Sequence, residues 1–246
     1  MTPLREGGSL PAIVEADDEG TYVLKFRGAG QGTRALIAEL VSGELARALG
    51  LPVPELVFAD LHADLARTEP DPEISALIRA SHGLNLALDY LPGSMTFDPL
   101  VDGIDPDLAS RIVWFDALVT NMDRTVRNTN LLIWHKRVWM IDHGASLYAH
   151  HTPGWVSDTD RATAAFPLIG KHVLMPKATR LQAVDHDMAT RLTGGVIDDV
   201  VSQIPFEWID PEGLELKGGR REDYARYLMA RLAPPRVFVR EAIGVR

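Results

Sequence analysis

Asn121-Met122-Asp123-Arg124-Thr125-Val126-Arg127-Asn128-Thr129-Asn130 is the stretch on which the fold turns, together with the LLIW, HKR and VWMIDHG segments (131–144) that follow it. The loop carries one Asp, two Arg and three Asn between an apolar helix and an apolar strand. So many polar groups beside a core are costly unless a network or a ligand satisfies them. Asp142 ends the second strand, next to a flexible His143-Gly144 turn, which suits a carboxylate facing a cleft. Asp123 and Asn128 are five apart (128 − 123), and Asp142 lies fourteen further on (142 − 128).

Upstream, LPAIVEA and TYVLKF read as two strands around the turn DDEG. A helix follows from about Thr33 to Leu49. Leu36, Ile37, Leu40, Val41 and Leu45 recur at helical spacing, and Gly50 with Pro52 stops it. LPVPELVFADL reads as a further strand, residues 66–83 as a surface excursion, and Leu84 to Gly93 as a strand running into a turn. Downstream, Asp105-Pro106 opens a helix over 105–122, then come the two short strands. Segments 181–192, 197–204 and 222–232 carry further helical patterns. The expected class is α+β with two lobes: a small β-rich lobe with one helix over 1–93, and a mainly helical lobe over 94–246.

Composition limits the function classes. The 246 residues include no cysteine, which excludes disulfides, thiolate metal sites and a Cys nucleophile. No apolar run approaches a bilayer-spanning length or a secretory h-region, so a cytoplasmic protein is expected. With 25 basic against 34 acidic side chains the net charge is −9, which opposes bulk nucleic-acid binding. The eight histidines form no metal set. His150 and His151 are adjacent, so their rings should diverge, and His143 should buttress Asp142. Neither a GxSxG elbow nor a GxxxxGK loop is present, which argues against a serine hydrolase and a P-loop ATPase.

The remaining pattern suits phosphoryl transfer from ATP. That chemistry asks for a carboxylate to orient the attacking hydroxyl, oxygen ligands for magnesium and a cation on the phosphates. In protein kinases the catalytic-loop Asp and its metal-binding Asn share the Asp123–Asn128 spacing, and a strand-borne Asp supplies the other metal ligand. Asp123 is then the base, with Asn128 and Asp142 on magnesium. Asn121 and Asn130 read as loop braces. Lys25, on a strand, is placed to reach the phosphates, and either Glu39 or Glu44 on the next helix can pair with it. Gly7-Gly8-Ser9 stands where a phosphate-covering loop belongs, and the backbone of Asp89-Tyr90-Leu91 stands where an adenine edge would be met.

These motifs resemble the HipA family of atypical serine/threonine kinases. The features that match are VLKF with Lys25, AELVSGELARALGLPVPE (38–55), NMDRTVRNTN and MIDHG, in order over residues 5–150. The resemblance implies a two-lobed kinase-like fold, ATP and magnesium as cofactors, and a Ser or Thr hydroxyl of a protein as acceptor, with a small-molecule or lipid hydroxyl as the alternative. It favours Glu39 over Glu44 as the partner of Lys25. Family members commonly carry His and Lys two and four residues after the catalytic Asp, where this chain has Thr125 and Arg127. Arg127 keeps the charge, and is expected near the transferring group. The resemblance also suggests that phosphorylation of Ser9 would push the loop out. A nucleotide-binding regulatory or toxin-like module is the reading from another class, and retention of Lys25, Asp123, Asn128 and Asp142 speaks against it.

Overall fold

The computed structural model describes residues 2–4, 10–152, 154–209 and 220–246. Gly7, Gly8 and Ser9, proposed above for the phosphate loop, lie outside the described residues. The chain has the two-lobed α+β fold. Its first part places β1 (Thr2–Pro3), β2 (Ala12–Glu15), β3 (Thr21–Lys25), α1 (Thr33–Ala48), β4 (Leu56–Leu61), α2 (Pro72–Ala80) and β5 (Gly83–Asp89). The strands form an antiparallel sheet in the order β1-β2-β3-β5-β4. At the β2–β3 turn the Asp18 carboxylate accepts from Gly20 N at 2.8 Å and from the Tyr22 hydroxyl at 2.7 Å. Lys25 pairs with Leu86 across the centre of the sheet.

The acidic, proline-bearing stretch after β4 contains an α-helix rather than a bare excursion, so the small lobe holds a second α-helix beside α1. Asp71 caps α2 by accepting from Glu73 N, and Pro72 occupies the first turn, where a missing N–H costs nothing. Ile74 and Ile78, four apart, bury themselves with Ala12, Leu24, Phe26 and Ala87 on one face of the sheet. Gly28 lets the chain pass close to this helix, since a Cβ there would sit 2.9 Å from the backbone of Ala80.

The second part runs through β6 (Met95–Thr96), α3 (Pro106–Leu118), β7 (Leu131–Trp134), β8 (Arg137–Met140), α4 (Thr159–Thr163), α5 (Leu181–Arg191), α6 (Gly194–Ser202), α7 (Phe206–Ile209), α8 (Arg221–Leu232) and α9 (Val237–Gly244). Asp105 caps α3, accepting from Asp107 N and Leu108 N. The helix stops at Leu118, short of the expected end at 122. Buried Arg231 of α8 donates to the Leu118 carbonyl at 2.6 Å and to that of Ala117 at 2.8 Å, and Thr120 turns the chain with φ 54°. The β7–β8 hairpin turns through His135 and Lys136, with φ 48° and 63°, the left-handed pair that a tight two-residue turn requires. The main core joins α1 and Leu86 of β5 to the helices of the second part, so it runs across the boundary between lobes.

Candidate active site

Lys25 ends β3 pointing into the space between sheet and α1. Its Nζ lies 2.8 Å from Asp142 Oδ1 and 3.8 Å from Glu39 Oε2. Glu39 is almost wholly buried on α1. Burial opposes charge on both groups, and the pairing outweighs it. The Glu39 and Asp142 carboxylates raise Lys25 above its ordinary value, with Asp123 adding to them. Lys25 and His143 in turn hold Glu39 down to about 2. Glu44, the other helix candidate, pairs instead with Arg47 at 3.5 Å. His143 does not buttress Asp142. Its buried ring lies 3.5 Å from Glu39 Oε1 and edge-on to Phe115.

The catalytic-loop candidate is closed on itself. Thr125 N donates to the carbonyls of both Asp123 and Asn128 at 2.9 Å. Asn128 Nδ2 donates to Asp123 Oδ2 at 2.7 Å, and Asn130 Nδ2 reaches the same oxygen at 3.3 Å. Asn128 Oδ1 and Asp123 Oδ1 accept no hydrogen bond from the described residues. Asn121 braces the loop as expected, accepting from Asp123 N at 3.1 Å and donating to Asp116 Oδ1 at 3.1 Å. Ile141 N donates to the Asn130 carbonyl at 3.1 Å, which ties the strand before Asp142 to the end of this loop. Asp142 then adopts φ 55°, a left-handed conformation that Asp tolerates better than most residues, and its carboxylate meets Lys25. The structure therefore brings Lys25, Glu39, Asp123, Asn128 and Asp142 into one neighbourhood.

The loop is carried by a buried network that the sequence reading missed. Arg124, nearly fully buried, donates through Nε to Asp116 Oδ2 at 2.7 Å. Its Nη1 donates to the carbonyls of Asn130 and Ile141, so one guanidinium holds both the catalytic-loop candidate and the approach to Asp142. His172 Nδ1 accepts from Leu174 N at 3.0 Å. Its proton thus sits on Nε2, which donates to Asp116 Oδ2 at 2.8 Å. Burial would raise the Asp116 carboxyl, but Arg124 and His172 hold it well below the usual carboxylate range. The signal available in the sequence was Asp116 on an otherwise apolar stretch of α3.

At the proposed adenine end, Asp89 N donates to the Glu55 carbonyl at 2.8 Å and Tyr90 N to that of Thr21 at 3.0 Å. Both groups are committed to the sheet, which leaves the Leu91 N–H as the free donor of the three among the described residues. Trp134 Nε1 donates to the Pro92 carbonyl at 2.9 Å, fixing this link to the β7–β8 hairpin. Arg127 is exposed and borders a separate cleft with Thr125 and His172. His150 and His151 do not diverge: their Nε2 atoms lie 2.9 Å apart. No group of three or more His, Cys, Asp or Glu side chains converges on a metal position among the described residues.

Residues 1–217 match the HipA-like kinase family. The chain belongs to the HipA-like kinases. Among solved structures it is similar to a Helicobacter pylori proinflammatory kinase, CtkA, with a TM-score of 0.58 at 13% identity, over 100% of this chain and 97% of that one. Such a likeness carries the fold. No curated protein sequence matches the chain. No helix among the described residues is long and apolar enough to cross a membrane.

Proposed function

We propose that this HipA-like kinase transfers the γ-phosphoryl group of ATP to a Ser or Thr hydroxyl of a protein, with magnesium held by Asn128 and Asp142. The observation that carries the reading is the convergence of Lys25, Glu39 and Asp142, beside a loop that fixes Asp123 against Asn128. We take residues 1–93 and 94–246 as the lobes and the space at Lys25 as the nucleotide site.

The donor set fits the metal. Asn128 turns its amide nitrogen to Asp123 and keeps its oxygen free, while the Asp142 side chain is 37% exposed. One carboxylate and one amide oxygen, with no nitrogen or sulfur ligand, suit a hard cation that takes its other oxygens from phosphates and water. Bound there, magnesium would neutralise charge developing on the phosphates. Lys25, exchanging Asp142 for a phosphate, would remain balanced by the buried Glu39. Asp123 Oδ1 would orient the acceptor hydroxyl and take its proton as the acceptor oxygen bonds to the γ-phosphorus. The bond to the bridging oxygen breaks, and ADP leaves with that electron pair. Arg127 would steady the transferring group, and the Leu91 N–H would meet the adenine edge.

Incubation with ATP labelled at the γ-position, magnesium and candidate protein acceptors tests the assignment, alongside calorimetric titration of ATP with and without magnesium. Label is expected as phosphoserine or phosphothreonine, and nucleotide binding should depend on magnesium and on Asp142. Binding that is indifferent to both would remove the assignment.

A further inference from the structure

The cleft bordered by Arg127 has a volume of about 870 Å³, and neither Lys25 nor Asp142 lines it. It lies between the 125–127 turn of the catalytic-loop candidate, the 170–176 segment and the end of the chain after α9. Three cations line it: Arg127, Lys171 and Arg246. All are exposed, and none makes an ion pair or hydrogen bond with another described side chain. No Asp or Glu side chain lines the cleft. On a chain of net charge −9, that is a local reversal of sign. Between the cations lie apolar surfaces, with Val126 68% and Val245 44% exposed and Met175 beneath.

Resting on the kinase reading above, we propose that this cleft is the acceptor-docking site and selects a Ser- or Thr-bearing peptide segment rich in Asp or Glu, with an apolar side chain beside them. Two features choose this occupant. Unpaired cations with no Asp or Glu side chain among them attract acidic side chains and repel basic ones, so they discriminate by charge. The apolar patches are matched by a peptide that alternates carboxylates with an aliphatic residue. A nucleic acid would match the charge but not the rest. No Phe, Tyr or Trp lines the cleft as a stacking platform, and the His172 ring is held by Asp116 and Leu174 N. Position adds to the argument: Thr125 to Arg127 lie directly between Asp123 and Asn128, so a segment seated here lies against the same short loop as the proposed base.

The test uses the full chain with fluorescently labelled Ser/Thr peptides whose flanks are Glu-rich, Lys-rich or neutral, and a labelled oligouridine of similar charge to the acidic peptide. Anisotropy should show the Glu-rich peptide binding at least tenfold more tightly than the Lys-rich one, and more tightly than the oligouridine. In the transfer assay the same preference should appear in kcat/KM. The double variant Lys171→Glu with Arg246→Glu should abolish or invert it, chiefly through KM, while circular dichroism and ATP–magnesium affinity stay at wild-type values. Equal binding of acidic and basic peptides, tighter binding of the oligouridine, or a preference untouched by the double variant would overturn the proposal. Retained magnesium-dependent ATP binding would then show that only the docking assignment has failed. Loss of that binding in the wild type would instead strike at the kinase reading, and the anisotropy comparison would still decide the cleft.

Discussion

Asp123 and Asp142 are both aspartates of the proposed site, and their contacts differ in a way that suits the different roles proposed for them. Asp142 faces Lys25 and is half-open, as a metal ligand needs, so Asp142→Ala should weaken ATP–magnesium binding and abolish transfer together. Asp123 has one oxygen fixed by two asparagines and the other free. Asp123→Asn should bind ATP–magnesium at near wild-type affinity while transfer falls about a hundredfold or more, the usual scale for a positioned general base. Calorimetry and initial rates on both variants read out the contrast, and equal losses in binding would contradict it. Glu39 gives a pH test. Its folded carboxyl lies at about 2 against an ordinary 4.5, so its stabilising contribution is present above pH 4.5 and disappears as pH falls towards 2. Glu39→Gln should cost about 3 kcal/mol in urea denaturation at neutral pH, the low end for breaking a buried pair because Lys25 keeps Asp142. That deficit should shrink as the pH is lowered through this window. The residues joined here by short sequence separations were legible beforehand, since Asp123, Asn128 and Asp142 sit on one loop and hairpin. Asp116 and His172 were not, because their role comes from a contact spanning 56 positions.

At the level of elements, what could be read depended on whether an element's ends are set locally. The start of α3 was readable because Asp105 and Pro106 cap it from within. Its end was not, since the groups that stop it belong to Arg231, more than a hundred residues away. The α2 helix carried a local start in Asp71-Pro72-Glu73, with Ile74 and Ile78 at helical spacing, but the flanking acids and prolines resemble a loop. Asp71→Ala should therefore lower stability by about 1 kcal/mol, the common cost of losing an N-cap, with no change in transfer rate. A reduced rate at saturating ATP would mean that α2 does more than support the sheet. The β7–β8 hairpin was readable from its two apolar runs, although its turn residues are poor for left-handed backbone. Lys136 is exposed at φ 63°, so Lys136→Gly should raise stability by about 0.5–1 kcal/mol in thermal or chemical denaturation, where glycine within a strand would lower it.

Over the whole molecule, the two lobes differ in composition but do not have independent interiors. Leu36, Ile37, Leu40, Val41 and Leu45 of α1 pack in the same cluster as Trp114, Leu118, Val201 and Trp208. The chain also returns late to the small lobe: Thr33 donates to the Trp208 carbonyl at 2.9 Å, and Trp208 Nε1 donates to the Leu84 carbonyl at 3.1 Å. These crossings were not legible as strands and helices were, because they depend on where residue 208 lands rather than on local pattern. They imply that the lobes unfold together. All five tryptophans, at 114, 134, 139, 155 and 208, lie in the second lobe; Trp134 and Trp208 also touch the first through Pro92 and Leu84, while Trp114, Trp139 and Trp155 report on the second. Leu45→Ala, a fully buried truncation in the first lobe, should cost about 2–5 kcal/mol. If the core is shared, the variant must shift the tryptophan-detected midpoint in urea as far as the midpoint from far-ultraviolet circular dichroism, with one transition by both probes. An unmoved tryptophan midpoint would mean that the small lobe melts by itself, and that the cluster joining α1 to the helical lobe contributes little to holding them together.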